Sequence, residues 1–264
     1  MLYSHSGIKL NDSKMDMVYS RLARRLRATG MRTFQDYLAR VEKQHDDEWE
    51  TFINSLTTNL TAFFREPHHF PLLKAHVLSL KKRPIRIWCS ASSTGEEPYT
   101  LAMSMVEAFN TYKPPVEIIA TDIDTNVLNK AKAGVYPIDR VEKLPPDTLK
   151  RFFLKGSGSN ADNVKVRKEL SDLISFRQLN LLDAKWPISG LFDVMFCRNV
   201  MIYFDKDTQY KILKRFEPML EPHGLLFAGH SESLHHASDL FKLRGQTVYE
   251  LSPQAKQMRL GSRS

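Results

Sequence analysis

Cysteine is nearly missing from this chain: 264 residues contain two, Cys89 and Cys197, each inside an apolar, strand-like stretch. They supply neither a disulfide framework nor a zinc set of the usual spacing, and both read as small core residues in a reducing compartment. Histidine offers no better ligand set. His68-His69 and His235-His236 are adjacent pairs, and neighbours on a helix point about 100° apart. No metal is therefore expected. No uncharged apolar run approaches the ~18 residues of a membrane span, and the opening MLYSHSGIKLNDSK lacks the apolar segment of a secretory signal. A G-x-S-x-G nucleophile elbow is missing too. What is present is an ordinary globular composition, 42 % hydrophobic and 26 % charged, with 38 Lys and Arg against 30 Asp and Glu. The expectation is a cytoplasmic, basic protein suited to an acidic partner, whether nucleic acid, membrane surface or protein.

The first 83 residues read as helices. Met15, Val18, Tyr19, Leu22 and Leu26 recur at helical spacing up to Gly30, a natural stop, and Thr33 is placed to cap a second helix carrying Phe34, Tyr37, Leu38 and Val41. A third stripe, Trp49, Phe52, Ile53, Leu56, Leu60 and Phe63, predicts one long helix reaching Arg65. From Pro84 the pattern changes to strand (Ile85 to Cys89), small-residue turn (Ser90 to Gly95), helix (Glu96 to Asn110), strand (Val116 to Thr121), acid, helix. That is the opening of a doubly wound α/β fold. Val164 to Arg167 and Ile174 to Phe176 alternate like an exposed antiparallel hairpin. A small β-subdomain is therefore expected at about 152–178, inserted in a Rossmann-like domain spanning 84–264. Strands at Phe192 to Cys197, Leu225 to Ala228 and Thr247 to Leu251 follow, and the polar tail after Ser252 reads as frayed.

Chemistry concentrates at strand ends. The turn SASSTGEEPY (90–99) has one glycine, so the G-x-G-x-x-G pyrophosphate turn is absent, and Glu96 and Glu97 stand where a phosphate would sit. Two acids there repel a pyrophosphate and welcome an amine or hydroxyl; alternatively they complement the helix dipole. Asp122, ending the second strand, is placed to accept ribose hydroxyls, and Asp124 to cap the next helix. A nucleoside with a cationic or zwitterionic tail fits this set, and S-adenosylmethionine is the common cofactor of that kind. Arg198 and Asn199 interrupt an apolar strand end, where polar groups are costly unless paired, and Asn180 ends the preceding strand. Asn59, Thr61 and Arg65 lie on the same predicted helix as the third stripe, where they either face the α/β domain or, as spacing alone favours, form the polar face of a helix packed by Leu60, Phe63 and Phe64. Between Lys14 and Lys43 eight basic residues face three acidic ones, which points to an acidic docking partner.

Taken together, MVYSRLARRLRATG, INSLTTNLTAFFREPHHFP, STGEEPYTLAM, ATDIDTNVLNKAKAGVY, FRQLNLL, FCRNVMIYFDK, GLLFAGHSESL and LRGQTVYEL resemble, collinearly and over most of the chain, the CheR family. These are S-adenosylmethionine-dependent methyltransferases that esterify glutamates of bacterial chemotaxis receptors and release S-adenosylhomocysteine. By matching position the resemblance implies a cofactor site of Asn59, Thr61, Arg65, Glu97, Asp122, Asn180, Leu181, Asn199 and Val200, with Glu96 kept as the alternative acid. It places Arg65 and Tyr203 near methyl transfer. It sets Arg21, Arg24, Arg25, Arg27 and Arg32 of a helical docking domain (1–83) against the helical cytoplasmic region of a receptor. The Gly-rich loop GSGSNADNV matches members whose β-subdomain also grips a receptor's C-terminal pentapeptide. Neither nucleic acid nor membrane insertion is implied. A nucleic-acid methyltransferase is the rival enzyme, but Arg198-Asn199-Val200-Met201 stands where amino-methylating enzymes carry Asn/Asp-Pro-Pro-aromatic.

Overall fold

The computed structural model describes residues 15–43, 47–56, 60–81 and 83–261. Three helices come first: α1 (Met15–Thr29), α2 (Phe34–Glu42) and α3 (Asp47–Leu56). Val18, Leu22 and Leu26, one turn apart along α1, bury against Tyr37, Val41, Phe52, Ile53 and Leu56 in a core of their own. Gly30 takes φ +70° at the end of α1, and Thr33 caps α2 by accepting the Asp36 N–H at 3.1 Å. Glu48 sits buried between the helices, gripped by the Arg25 guanidinium at 3.0 and 2.8 Å and by the Tyr37 hydroxyl at 2.7 Å.

The predicted long third helix is not formed. α3 ends at Leu56, and residues 60–68 run as turns, with Phe64 and Glu66 at φ +53° and +55°. The apolar stripe that suggested continuation serves two destinations. Leu60 is 76 % exposed, whereas Phe63 enters the core of the following domain. Helix α4 (His69–Ser79) likewise gives Phe70, Leu73 and Val77 to that second core. The packing thus divides the chain between Leu56 and Leu60, ahead of the expected boundary at Arg83.

The remainder runs β1 (Ile85–Cys89), α5 (Glu96–Phe109), β2 (Val116–Asp122), α6 (Thr125–Ala133), β3 (Val135–Pro137), α7 (Pro146–Phe152), β4 (Phe153–Lys155), β5 (Asn163–Val166), α8 (Lys168–Ser171), β6 (Ile174–Gln178), β7 (Phe192–Cys197), α9 (Lys206–Phe216), β8 (Leu220–Ala228), β9 (Phe241–Gly245), β10 (Val248–Leu251) and α10 (Pro253–Gly261). The main sheet has the order β6-β2-β1-β7-β8-β10-β9. Its first five strands are parallel, and β10 runs antiparallel to both neighbours. Side chains alternate as strand geometry requires. Ile85, Ile87 and Cys89 face the layer of α4 and α5, while Trp88 faces the opposite core with Phe192 and Phe216.

Three expectations are corrected here. The hairpin of Val164–Arg167 with Ile174–Phe176 does not exist. β5 pairs with β3 and β4 in a separate three-stranded antiparallel sheet, and β6 joins β2 in parallel, Ile118 opposite Ile174 and Asp122 opposite Gln178. Alternation cannot name a strand's partner, and the single turn of α8, which buries Leu170, redirects the chain between the sheets. The small sheet therefore draws on Val135 to Val166 rather than on 152–178. The tail forms α10, where the Ser252 hydroxyl accepts the Ala255 N–H at 3.0 Å and Ala255 is buried. Neighbours of β1 lead away in opposite directions, so the carboxyl ends of β1, β2 and β7 flank a topological switch point, the place where α/β sheets hold ligands.

Candidate active site

A cleft opens over those strand ends, with residues from Leu60 to Arg65 crossing it. Backbone bonds shape its floor. The Ser90 N–H donates to the Phe196 carbonyl at 2.9 Å and the Ser92 N–H to that of Thr121 at 2.8 Å, which locks the turn after β1 to both flanking strands. Gly95 closes the turn at φ +100°. A Cβ there would lie 2.7 Å from the Tyr136 hydroxyl and 2.9 Å from Ala131 Cβ, so only glycine fits.

The two acids that open α5 separate. Glu97 lines the cleft. Its carboxylate lies 3.2 Å from Arg198 Nε and accepts the Cys89 thiol at 3.2 Å. Burial raises its pKa, against the opposing pull of Arg198. Glu96 does not line the cleft; wholly buried, it accepts the Thr94 hydroxyl at 2.6 Å and pairs with Arg140. Asp122 lines the cleft as well. The N–H groups of Ser93 and Asp124 donate to its two oxygens at 2.8 and 3.0 Å, yet burial pushes its pKa up to about 6. Asp124 caps α6 through the N–H groups of Asn126 and Val127.

Thr61, Arg65, Asn180, Leu181, Asn199, Val200 and Tyr203 all line the same cleft. Asn180 follows β6, where its side-chain oxygen accepts the Leu182 N–H at 3.0 Å. Arg65 donates to the Leu60 carbonyl at 3.0 Å. Tyr203 ends a 3-10 turn after β7, braced by Gln209, which donates to the carbonyls of Met201 and Phe204 at 2.9 and 3.0 Å. Asn59, the remaining expected site residue, lies outside the described residues. Of the expected docking arginines, Arg24, Arg27 and Arg32 are exposed. Arg25 is spent on Glu48, and Arg21 donates to the Ser55 carbonyl at 3.2 Å.

Sequence reasoning missed the ionic framework beneath the cleft. Arg198 is buried and donates to the Arg65 carbonyl at 2.6 Å; besides Glu97 it faces Glu66 Oε2 at 3.8 Å and His69 Nδ1 at 3.4 Å. His69 donates from Nε2 to the Gln246 carbonyl at 2.9 Å, and burial lowers its pKa to about 4, so it stands neutral beside the arginine. Burial works to raise Glu66, but the His230 hydrogen bond and the Arg198 charge hold it below the ordinary range. One carboxylate, Glu232, accepts the N–H groups of Asn199, Gly229 and Met201 at 2.8, 2.6 and 2.7 Å. The one available signal was charge within apolar sequence, and it marks Arg198 but not its partners. Glu66, His68 and His69 also bring one ligand atom each within 4.8 Å of one another, although the two histidines are neighbours in sequence. Both nitrogens of His69 are already engaged, and the Arg198 cation beside it opposes a metal ion.

This donor set suits a nucleoside with an amino-acid tail. Asp122 offers carboxylate oxygens to sugar hydroxyls, Glu97 an anion to an ammonium group and Arg65 a cation to a carboxylate. Leu179, Leu181, Val200 and Phe204 give apolar wall between them.

The family model described as CheR methyltransferase, SAM binding domain, matches residues 59–250, and that described as CheR methyltransferase, all-alpha domain, matches residues 1–57. The junction falls where the two cores part. Chemotaxis protein methyltransferase 2 of Pseudomonas aeruginosa is 53 % identical over 250 residues, covering 94 % of this chain and 89 % of the relative. The chemotaxis protein methyltransferase of Escherichia coli is 51 % identical over 253 residues, covering 96 % and 88 %. That of Borreliella burgdorferi is 38 % identical over 245 residues, covering 89 % and 86 %.

Proposed function

The chain belongs to the CheR methyltransferase family, and from that premise we propose that its cleft presents S-adenosylmethionine to a glutamate side chain of a chemotaxis receptor in the cytoplasm. It is an S-adenosylmethionine-dependent methyltransferase of chemotaxis. The observation that carries the finer reading is the meeting of Asp122, Glu97, Asn180, Asn199, Arg65 and Tyr203 in one cleft at the switch point.

When bound, the cofactor supplies an electrophilic methyl on a sulfonium. Asp122 and Asn180 hold the nucleoside end, and Glu97 with Arg65 the amino-acid end. A glutamate carboxylate is already ionised at pH 7, with a reference pKa of about 4.3, so the cleft needs no general base. Its task is to align the reacting groups and strip water from the carboxylate. Tyr203 orients the incoming oxygen with its hydroxyl. Because negative and positive charge cancel in the transition state, a tight arginine pair on the nucleophile would favour the ground state instead. That argues for Arg65 on the cofactor's carboxylate.

The exposed Arg24, Arg27 and Arg32 are the proposed docking face for an acidic, helical receptor segment, a contact expected to weaken with salt. The helical unit ending at Leu56 is the docking module and the sheet domain the catalytic one. The three-stranded sheet is the proposed second grip, for a peptide at a receptor's C-terminus; Val135 and Leu154 stand exposed on its two edge strands. Among the described residues no helix is long and apolar enough to cross a membrane.

The deciding experiment incubates the protein with receptor-bearing membranes and methyl-labelled S-adenosylmethionine. Label released by mild base from the receptor supports the proposal. Label recovered in RNA or DNA instead overturns it.

A further inference from the structure

We propose that Arg140 is a positioning residue for the cofactor: from the margin of the three-stranded sheet it fixes the crossing segment Leu60–Glu66 over the cleft. The inference rests on the cofactor reading above. Arg140 ends the 3-10 turn that follows β3. Its Nη2 donates to the Thr61 carbonyl at 2.9 Å and also pairs with the Glu96 carboxylate. Thr61 lines the cleft; Glu96 is the first residue of α5 and the neighbour of Glu97, which lines it too. A single guanidinium therefore ties the roof of the cleft to the helix that carries its acidic floor.

Other contacts point the same way. Phe63 enters the small sheet, edge-on to Tyr136 of β3 at 5.1 Å and to Phe153 of β4 at 5.4 Å between ring centres. The Tyr136 hydroxyl donates to the Thr94 carbonyl at 2.7 Å, in the turn just before Glu96. The Phe64 N–H donates to the Thr100 hydroxyl at 3.1 Å, on the next turn of α5. The far end of the crossing segment has its own anchor, Arg198 on the Arg65 carbonyl. At the near end, where Thr61 meets the ligand space, Arg140 is the cation that spans both parts.

Seven residues without regular structure lose considerable backbone entropy on ordering. Unless that loss is met before the ligand arrives, it is subtracted from affinity. A planar guanidinium can satisfy two acceptors at once, which suits a bridge between a carbonyl and a carboxylate. Glu96 is a buried charge that would be costly without its partner, and its role is to aim Arg140. The adjacent acids thus divide the labour: Glu97 faces the ligand space, and Glu96 acts through the arginine on the segment above it.

The test compares wild type, Arg140→Ala and Arg140→Lys in the full chain. S-adenosylhomocysteine binding is followed by calorimetry, methyl transfer by cofactor titration, and backbone exchange by deuterium labelling. Loss of one charged hydrogen bond predicts about a ten-fold weaker Kd and a comparable rise in cofactor KM for Arg140→Ala. At saturating cofactor kcat stays within about two-fold, exchange quickens at the amides of 61–65, and Arg140→Lys recovers part of the affinity. An Arg140→Ala protein that binds the nucleoside as tightly as wild type, or one whose kcat falls while Kd and KM hold, overturns the proposal. Wild-type protein that ignores S-adenosylhomocysteine would instead sink the cofactor reading itself.

Discussion

The carboxylate of Glu232 holds the backbone N–H of Asn199 at 2.8 Å, from 33 residues further along the chain. Asn199 there adopts φ +59°, a conformation with a steric penalty for a residue bearing a Cβ. Glu232 also takes the N–H groups of Gly229 and Met201, so one buried acid moulds the turn that presents Asn199, Val200 and Tyr203 to the cleft. Burial raises its pKa against those three bonds. Gly229 has no room for a side chain, since a Cβ would stand 2.6 Å from Asn199 Nδ2 and 2.8 Å from Glu232 Oε2.

Removing that acid should therefore injure both fold and site. Glu232→Ala strands three N–H groups, each worth about 1–3 kcal/mol when buried without a partner. A loss of about 3 kcal/mol or more in urea unfolding is expected, with S-adenosylhomocysteine binding largely gone. Glu232→Gln keeps one acceptor oxygen and should lose roughly half as much. An alanine variant within about 1 kcal/mol of wild type would show that the turn holds its shape without the clamp.

If Asp122 holds the sugar as proposed, cofactor binding should depend on pH. Its folded pKa is about 6, raised by burial, against about 3.9 in an unfolded chain. The folded state thus retains a proton that the unfolded state has lost. This contribution to the stability of the unliganded protein is fully present below about pH 4 and is lost as pH rises through about 6. Sugar hydroxyls of a nucleoside bound as proposed would reverse the preference by donating to the ionised form. The affinity for S-adenosylhomocysteine should accordingly rise between pH 5 and 7 and level off above. Asp122→Asn should flatten that profile and weaken binding at pH 7.5; a titration as steep in the variant as in wild type would assign the pH dependence to another group.

How much of this was legible beforehand depends on range along the chain. The strand, turn and helix from Ile85 to Gly134 were readable because period, cap and stop are local: Asp124 does cap α6, and Gly134 does end it in the left-handed region. Asp122, Glu97, Asn180 and Asn199 converge because each lies at or just beyond a strand's end, or at a helix start, in a fold that gathers those ends. The choice between Glu96 and Glu97 was not readable, because it turns on Arg140, 44 residues from Glu96. Nor were the bonds that tie Arg198 and Asn199 to Arg65, Glu66 and Glu232, whose partners lie 33 to 133 residues apart. The failed helix through Arg65 and the failed hairpin at Ile174 share one cause. A local apolar pattern says that a side chain will be buried, not against what.

Arg25 and its neighbours should separate in mutagenesis. The Arg25 fork and Tyr37 keep Glu48 ionised below its usual range in spite of burial. Arg25→Ala removes a bidentate partner from that buried acid and should cost about 1–3 kcal/mol of stability. Reversing Arg24 and Arg27 touches no such contact among the described residues. Their variants should keep the wild-type melting temperature, raise the KM for receptor several-fold and lose much of its salt dependence. Equal receptor KM across salt in wild type and reversed variants would remove this face from docking.

Tyr203→Phe probes how the nucleophile is held. The tyrosine lines the cleft on a turn fixed by Gln209 and, through Met201, by Glu232. Its hydroxyl would bond the glutamate carboxylate before transfer, when that group bears a full charge, and less strongly afterwards, as the charge is cancelled. Such a bond orients the oxygen but also stabilises the ground state, so the two effects oppose each other. A decrease in kcat of about three- to ten-fold is expected, with cofactor Kd unchanged. With the nucleophile ionised from about pH 5 upward, kcat should be flat from pH 6 to 9 in both proteins. Unchanged turnover in the phenylalanine variant would take the hydroxyl out of the mechanism. A rate loss that grows below pH 9 would make Tyr203 a proton carrier, which an already ionised nucleophile does not need.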